Sequence, residues 1–348
     1  MSSAAGGNGA AADDGSAALV PAAIEDLTAA TLPPDEVSTV PLPDIGASDG
    51  TVPWRALLAE AAAALADAGF SSAEVEARRM VEEAAGHEGS ALLARLDDPV
   101  TVGGVAAVDR MVDRRQAGEP LQYVLGRWAF RSLDLMVDRR VLIPRPETEG
   151  LVDHVLAELD RIADSSGPGD DPAPAPIVVD LGCGSGAIGL AVATERRGTE
   201  VHAVDVDPGA VQVTRANLAG LGVAGASVTV REGSWWDGLP PELTGRVAVV
   251  ASNPPYVAAD DPLPPEVAAW EPRGALIPGP TGLEAIEEIV TRAPSWLAPS
   301  GALVVEIGET QGAAVRAMAA GVGLTDIEVR PDLSGRDRAL VARRPLPS

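Results

Sequence analysis

The chain has 348 residues, 46% of them hydrophobic, and a formal charge of −25 from 51 acidic and 26 basic residues. Length and apolar content suit about two packed domains. Every basic residue is Arg, which excludes a lysine Schiff base and a lysine-bearing phosphate loop, and so acidic a balance repels nucleic acid at long range.

Residues 1–50 are rich in Ala, Gly, Ser, Pro and Asp, hold 8 acidic residues and lack both Arg and aromatics. They cannot bury enough apolar surface to offset chain entropy, and a disordered acidic tail is predicted. Residues 51–125 read as a helical domain. Leu57, Leu58, Ala61, Leu65 and Ala68 recur at helical spacing, and Gly69 suits the helix stop. Ser72 suits the N-cap of a second helix with Val75 and Met80 among its apolar positions. A further helix is predicted over Val105–Gln116. Across 126–150 the short alternating runs Trp128–Phe130, Leu133–Val137 and Val141–Ile143 predict a β-hairpin linker. Residues 164–176 form a Pro/Gly/Asp loop.

Over 151–348 the rhythm becomes strand–helix–strand. Strands are predicted at Ile177–Leu181, Glu200–Asp205, Ser227–Arg231, Val247–Ser252, Ala302–Ile307, Asp326–Val329 and Arg338–Ala342. Helices are predicted at Ala187–Arg196, Pro208–Leu218, Gly282–Leu297 and Gln311–Ala319. Such alternation implies an α/β fold with a mostly parallel, doubly wound, Rossmann-like sheet, whose ligands bind at the carboxyl ends of strands near the switch in strand order.

Val179-Asp180-Leu181-Gly182-Cys183-Gly184-Ser185-Gly186 follows a buried strand and opens a helix. Glycines at alternate positions let the backbone turn sharply and approach a ligand closely. Asp205 ends the next strand 23 positions after Gly182, where an acidic residue meets ribose hydroxyls in nucleotide-binding sheets. Dinucleotide sites prefer G-x-G-x-x-G facing a pyrophosphate. The G-x-G-x-G spacing here resembles the first motif of class I methyltransferases, whose S-adenosyl ligand has no phosphate to place.

Asn253-Pro254-Pro255-Tyr256 ends the fourth strand of the sheet. An amide or amino nitrogen conjugated to a flat group is a poor nucleophile. The Asn253 side-chain oxygen can accept one of its N–H bonds and the Pro254 carbonyl the other. The two prolines hold these acceptors with little entropy left to lose, and Tyr256 can stack on the flat group.

With these blocks the sequence resembles the bacterial release-factor glutamine methyltransferase family (HemK, also called PrmC). The resemblance spans nearly everything after residue 50. It includes Gly118–Tyr123, Leu142-Ile143-Pro144-Arg145-Pro146-Glu147-Thr148-Glu149, the glycine loop, Asn253–Tyr256, Glu271-Pro272 with Ala275-Leu276, Glu306-Ile307-Gly308 and Gln311. It implies a seven-stranded class I methyltransferase sheet, S-adenosylmethionine as methyl donor, and methylation of the Gly-Gly-Gln glutamine of class 1 peptide chain release factors. Gly182, Cys183, Gly184, Ser185, Gly186 and Asp205 would hold the cofactor, with Asn253 also beside it. Trp235 would lie by the adenine, although adjoining Trp236 could take that part. Asn253, Pro254, Pro255 and Tyr256 would bind the glutamine and serve catalysis. Arg145, Glu147 and Glu149 either close the cofactor side of the pocket or join the hairpin to the sheet. Cys183 stands where many members have Thr.

The helical domain would dock the release factor. Residues 110–145 hold eight Arg against four acidic residues, either a patch complementary to the partner or a salt-bridged surface. An adenine N6-methyltransferase shares Asn-Pro-Pro-Tyr but should carry a basic groove for phosphates, so nucleic acid is not the expected acceptor. A non-catalytic cofactor-binding adaptor would not need that motif. No metal is expected: Cys183 is the single cysteine, and His87, His154 and His202 show no ligand spacing. Without a basic leader or an apolar run of about 18 residues, a soluble cytoplasmic protein without membrane contact is expected.

Overall fold

A computed structural model describes residues 51–165 and 174–347. The tail expected over 1–50 and the middle of the loop expected over 164–176 lie outside the described residues. No helix among the described residues is long and apolar enough to cross a membrane.

Five helices come first: α1 (Trp54–Asp67), α2 (Ala73–Ala85), α3 (Ser90–Leu93), α4 (Val102–Gln116) and α5 (Leu121–Leu125). Leu57, Ala61 and Leu65 lie on one face of α1 and pack with Ala77, Met80 and Val81 of α2 and Val108 and Met111 of α4. Beyond α1, Gly69 adopts φ of +90°, a conformation that side chains disfavour. Ser72 does precede α2, but its hydroxyl donates to Glu76 Oε1 at 2.8 Å and caps no backbone N–H. Val75 is 63% exposed, because it points away from the inward face carrying Ala73, Ala77 and Met80. α4 starts earlier than expected because Thr101 caps it, accepting from Gly104 N at 3.1 Å.

The hairpin strands β1 (Arg127–Phe130) and β2 (Leu133–Met136) pair antiparallel. The third alternating run, Val141–Ile143, is not a strand. It is an extended strap whose Val141 and Ile143 are buried with Tyr123 and with Ala210 and Val213. Alternation there reflects one-sided burial without a ladder. Helix α6 (Pro146–Ser165) crosses the domain boundary expected between 150 and 151. Its Leu151, Val152, Val155 and Leu159 are buried at helical spacing, and proline at the first turn lacks only an N–H that would have no partner there.

The remaining elements alternate: β3 (Ile177–Leu181), α7 (Ala187–Glu195), β4 (Glu200–Asp205), α8 (Pro208–Gly220), β5 (Val228–Glu232), β6 (Val247–Ser252), α9 (Pro265–Trp270), α10 (Glu284–Trp296), β7 (Leu297–Glu306), α11 (Gly312–Gly321), β8 (Thr325–Pro331) and β9 (Asp337–Arg343). They build a seven-stranded sheet in the order β5-β4-β3-β6-β7-β9-β8, parallel except for β9, which runs antiparallel to both neighbours. Central strands are buried on both faces. Val178, Val249 and Val304 pack towards α6 and α7, whereas Val179, Val250 and Val305 pack towards α10 and α11.

From β3 the chain moves outward through β4 and β5, then returns to the other side of β3 as β6. The switch in strand order therefore falls between β3 and β6, where connections diverge and leave a crevice. Leu181 pairs in register with Ser252, so Gly182 and Asn253 leave the sheet side by side.

Candidate active site

At the end of β3, Gly182, Gly184 and Gly186 have φ of +72°, +55° and +84°. All three lie in the left-handed region that glycine alone enters freely, which is the physical reason for the alternate spacing. The N–H groups of Gly182 and Cys183 both donate to Val204 O, at 2.8 and 3.0 Å, fastening the loop to β4. Asp205 secures it further: Gly184 N donates to Oδ2 and Asp207 N to Oδ1, each at 2.9 Å. Burial pushes the Asp205 carboxyl above its ordinary range, and these N–H donors counter part of the effect.

Cys183 is buried, with Sγ 3.5 Å from Thr214 Oγ1. The Thr214 hydroxyl donates to Gly184 O at 2.7 Å. Burial holds the thiol well above its usual pKa, which suits a packing group and not a nucleophile. Asn217, which no sequence motif marks, joins the hairpin to the glycine loop. Its Nδ2 donates to Ser185 O at 2.8 Å and Met136 O at 3.1 Å, and its Oδ1 accepts from Met136 N at 2.7 Å.

A cleft of about 240 Å³ opens beside this loop, bounded by Gly182–Ser185, Asp205, Trp235, Asn253 and the strap. Trp235 adopts φ of +45° and lines the cleft, so close to Gly182 that a Cβ there would stand 3.3 Å from the ring. Trp236 is fully buried, stacked on Trp296 with ring centroids 5.7 Å apart, and donates from Nε1 to Glu288 O at 3.3 Å. Of the two tryptophans, only Trp235 faces the cleft.

β6 delivers Asn253 beside the loop, and Ser252 Oγ donates across to Leu181 O at 2.7 Å. Asn253 and Pro255 line the cleft, whereas the Pro254 between them is buried. Asn253 Nδ2 donates to Thr148 Oγ1 at 3.1 Å, and Thr148 Oγ1 donates to Glu306 Oε2 at 2.7 Å. Among the described residues neither Asn253 Oδ1 nor the Pro254 carbonyl accepts a hydrogen bond.

Tyr256 does not line the cleft as stacking on a substrate would require. Its ring packs on the α10 side of the sheet, and its hydroxyl donates to Glu306 Oε1 at 3.3 Å. Burial and the Glu306 charge push that hydroxyl up to about 12. Gln311 anchors the same turn, donating from Nε2 to Tyr256 O at 3.0 Å and Gly282 O at 3.1 Å while accepting from Gly308 N at 2.9 Å.

The strap is pinned at three points. Tyr123 OH donates to Val141 O at 2.6 Å, Ile143 N donates to Glu271 Oε2 at 3.2 Å, and Arg145 Nη2 donates to Glu271 Oε1 at 2.5 Å. Arg145, Glu147 and Glu149 do not line the cleft; Pro144 and Thr148, from the same block, do. Glu147 is exposed, and Glu149 Oε1 accepts from Arg131 N at 2.9 Å, tying the hairpin to α6. The arginines of 110–145 are mostly paired. Arg114 meets Glu119, Arg115 meets Glu76 and Glu266, Arg127 meets Glu83, Glu88 and Asp134, and Arg131 meets Asp153 and Glu195. Arg139 lies over the Trp270 ring at 3.9 Å, and Arg140 meets Asp138. Their excess over acidic residues within that window is neutralised from outside it, which favours the salt-bridged surface.

Comparison with known proteins matches residues 56–126 to the PrmC N-terminal domain and residues 171–264 to the methyltransferase small domain. A release factor glutamine methyltransferase of Cereibacter sphaeroides is 38% identical over 283 residues, covering 81% of this chain and 95% of its own length. The chain belongs to the release factor glutamine methyltransferase family. Relatives bearing that name from Burkholderia pseudomallei and Mycolicibacterium smegmatis are 39% and 37% identical, covering 78% and 83% of this chain and 92% and 97% of their own. Among solved structures, a methyltransferase from Pyrococcus furiosus is 15% identical at a TM-score of 0.44, covering 63% of this chain and 92% of its own. As a member of the glutamine methyltransferase family the chain is an S-adenosylmethionine-dependent enzyme. Its cleft fits that donor: Gly182 packs closely under the Trp235 ring, an acidic side chain stands at the end of β4, and among the described residues lining the cleft the one cation is Arg140, paired with Asp138, where a phosphate would call for a cluster.

Proposed function

We propose that this methyltransferase modifies the side-chain amide nitrogen of the glutamine in the Gly-Gly-Gln motif of class 1 peptide chain release factors. The observation that carries the reading is the side-by-side exit of Gly182 and Asn253 into one cleft, with the Asn253 Nδ2 already engaged by Thr148. When bound, S-adenosylmethionine supplies a methyl group made electrophilic by its sulfonium.

The chain's own contribution is placement. Main-chain groups of Gly182, Cys183, Gly184, Ser185 and Gly186 cradle the donor, Asp205 accepts from ribose hydroxyls, and Trp235 covers the adenine. Asn253 Oδ1 and the Pro254 carbonyl each accept one N–H of the glutamine amide, aiming its nitrogen into the cleft. Pro255 forms the floor, and Tyr256 holds the turn through Glu306. No strong base is needed, since the nitrogen that has gained a methyl carries a positive charge and releases its surplus proton to water, leaving the neutral N-methyl amide. Orientation of this kind is worth effective molarities of about 10⁵ M or more. The helical domain presents the release factor to the cleft.

The reading is tested by incubating the chain and labelled donor separately with release factor and with DNA, then locating the label by mass spectrometry. Label on the release-factor glutamine is the expected result. Label on adenine supports the N6-methyltransferase reading, and no label despite tight cofactor binding supports an adaptor; either outcome refutes the proposal.

A further inference from the structure

We infer that Thr148 and Glu306 are positioning residues that dictate which end of the Asn253 amide faces the acceptor. The inference rests on the reading that Asn253 grips the substrate nitrogen, and it explains how that grip keeps its polarity.

An Asn side chain presents two ends of nearly equal shape, a carbonyl that accepts and an NH2 that donates. Turned the wrong way, Asn253 would oppose the substrate's N–H bonds with N–H bonds of its own. Packing alone distinguishes these two orientations poorly, so something must set the direction.

The hydrogen-bond chain sets it. Glu306 ends β7 and is 1% exposed. Thr148 Oγ1 lies 2.7 Å from Glu306 Oε2, and Tyr256 OH lies 3.3 Å from Oε1. An ionised carboxylate only accepts, so the single Thr148 proton is committed to Glu306. Thr148 oxygen can then only accept, and the group it accepts from, 3.1 Å away, is Asn253 Nδ2. The carbonyl of Asn253 is thereby left for the substrate. Burial pushes the Glu306 carboxyl above its ordinary range, and the Thr148 and Tyr256 hydroxyls that donate to it, with the charge of Arg338, oppose that shift by favouring the ionised form. A neutral amide at 306 could donate as readily as accept. It would let Thr148 reverse and Asn253 turn over.

A carboxylate is thus needed at 306 for its inability to donate, and a hydroxyl at 148 for having one proton to give. Thr148 is supplied by the start of α6, Glu306 by the end of β7 and Asn253 by the turn after β6. Three elements distant in sequence therefore converge on one amide.

The test compares full-length Thr148→Val, Thr148→Ser, Glu306→Gln and Asn253→Ala for kcat and KM on a release factor, for affinity towards S-adenosylmethionine, and for melting temperature. Thr148→Ser should retain kcat. Thr148→Val and Glu306→Gln should each lose kcat by about tenfold or more, the order expected for a misdirected reacting group, with cofactor affinity unchanged. Wild-type kcat in a folded Thr148→Val or Glu306→Gln variant overturns the inference. So does a loss that appears equally in Thr148→Ser or in cofactor affinity. If Thr148→Val does not fold, Glu306→Gln, which keeps the shape but replaces an accept-only carboxylate with an amide that can donate, decides alone. Should Asn253→Ala also turn over normally, the acceptor-site reading itself fails; an inactive Asn253→Ala beside an active Thr148→Val refutes the polarity lock alone.

Discussion

Replacing Glu271 should loosen one wall of the cofactor cleft without touching any residue of the acceptor motif. Its carboxylate is buried, taking Arg145 Nη2 at 2.5 Å on one oxygen and Ile143 N at 3.2 Å on the other. In Glu271→Ala the Ile143 N–H, on a residue only 2% exposed, loses its acceptor. An orphaned buried donor costs about 1–3 kcal/mol. Arg145 is about one-third exposed on its side chain, so water replaces much of that ion pair and its loss adds roughly 1 kcal/mol. The total, about 2–4 kcal/mol, falls on the strap whose Val141, Leu142 and Pro144 line the cleft. If bound donor requires an ordered strap, about 1.4 kcal/mol of that cost weakens binding tenfold. Isothermal titration with S-adenosylmethionine should therefore show Glu271→Ala at least about tenfold weaker. Glu271→Gln should fall between, because its single oxygen can serve Ile143 or Arg145 but not both. A folded Glu271→Ala variant with wild-type affinity would refute the claim that the strap is a cofactor wall.

The remaining expectations concern neighbouring groups. Asp180 is fully buried, with Oδ2 bonded to Gly189 N and Oδ1 unpartnered, and burial pushes its carboxyl from its ordinary 3.8 up to about 7. The folded state thus holds this proton more tightly than the unfolded chain. Its stability is fully retained below the unfolded pKa and is lost as pH rises towards about 7, at about 1.4 kcal/mol per unit. Asp180→Asn should therefore gain thermal stability relative to wild type between pH 5 and pH 8, and a pH-independent difference would contradict this. Trp236→Ala should cost about 3–5 kcal/mol in chemical denaturation, whereas Trp235→Ala should leave stability near wild type and weaken donor binding. The opposite pattern would reverse their assignments. Asp205→Ala should chiefly lower affinity for the donor, and an unchanged dissociation constant would remove the ribose role.

The parts of the site legible in the sequence are those with a local physical cause. Alternate glycines announce left-handed torsions wherever they occur, and Gly182, Gly184 and Gly186 adopt them. Uninterrupted apolar runs bounded by turns mark strands buried on two faces, so β3 and β6 lie close to their expected limits. What escaped depends on partners far along the chain. Thr148 sits amid charged residues, and its role follows from Asn253 and Glu306, each more than 100 positions away. The arginines of 110–145 outnumber the acidic residues of their own window, and Glu76, Glu83, Glu88 and Glu266, which balance part of the excess, lie outside it. Alternation at Val141–Ile143 reports burial of one side but cannot report a missing ladder. Spacing likewise cannot separate Trp235 from Trp236. The turn that carries them points one at the cleft and one at Trp296, and only the packed fold shows which.

The central claim is that residues following β6 orient the acceptor while the turn following β3 holds the donor. It is tested most directly by measuring, on one preparation of Asn253→Ala, both single-turnover methyl transfer to a release factor and the dissociation constant for S-adenosylmethionine. Transfer should fall by about a hundredfold or more, as expected when a reacting group loses its alignment, with donor affinity within a few-fold of wild type. Near-normal transfer would contradict the claim outright, and a collapse of donor binding in step with transfer would show that Asn253 belongs to the donor's site instead.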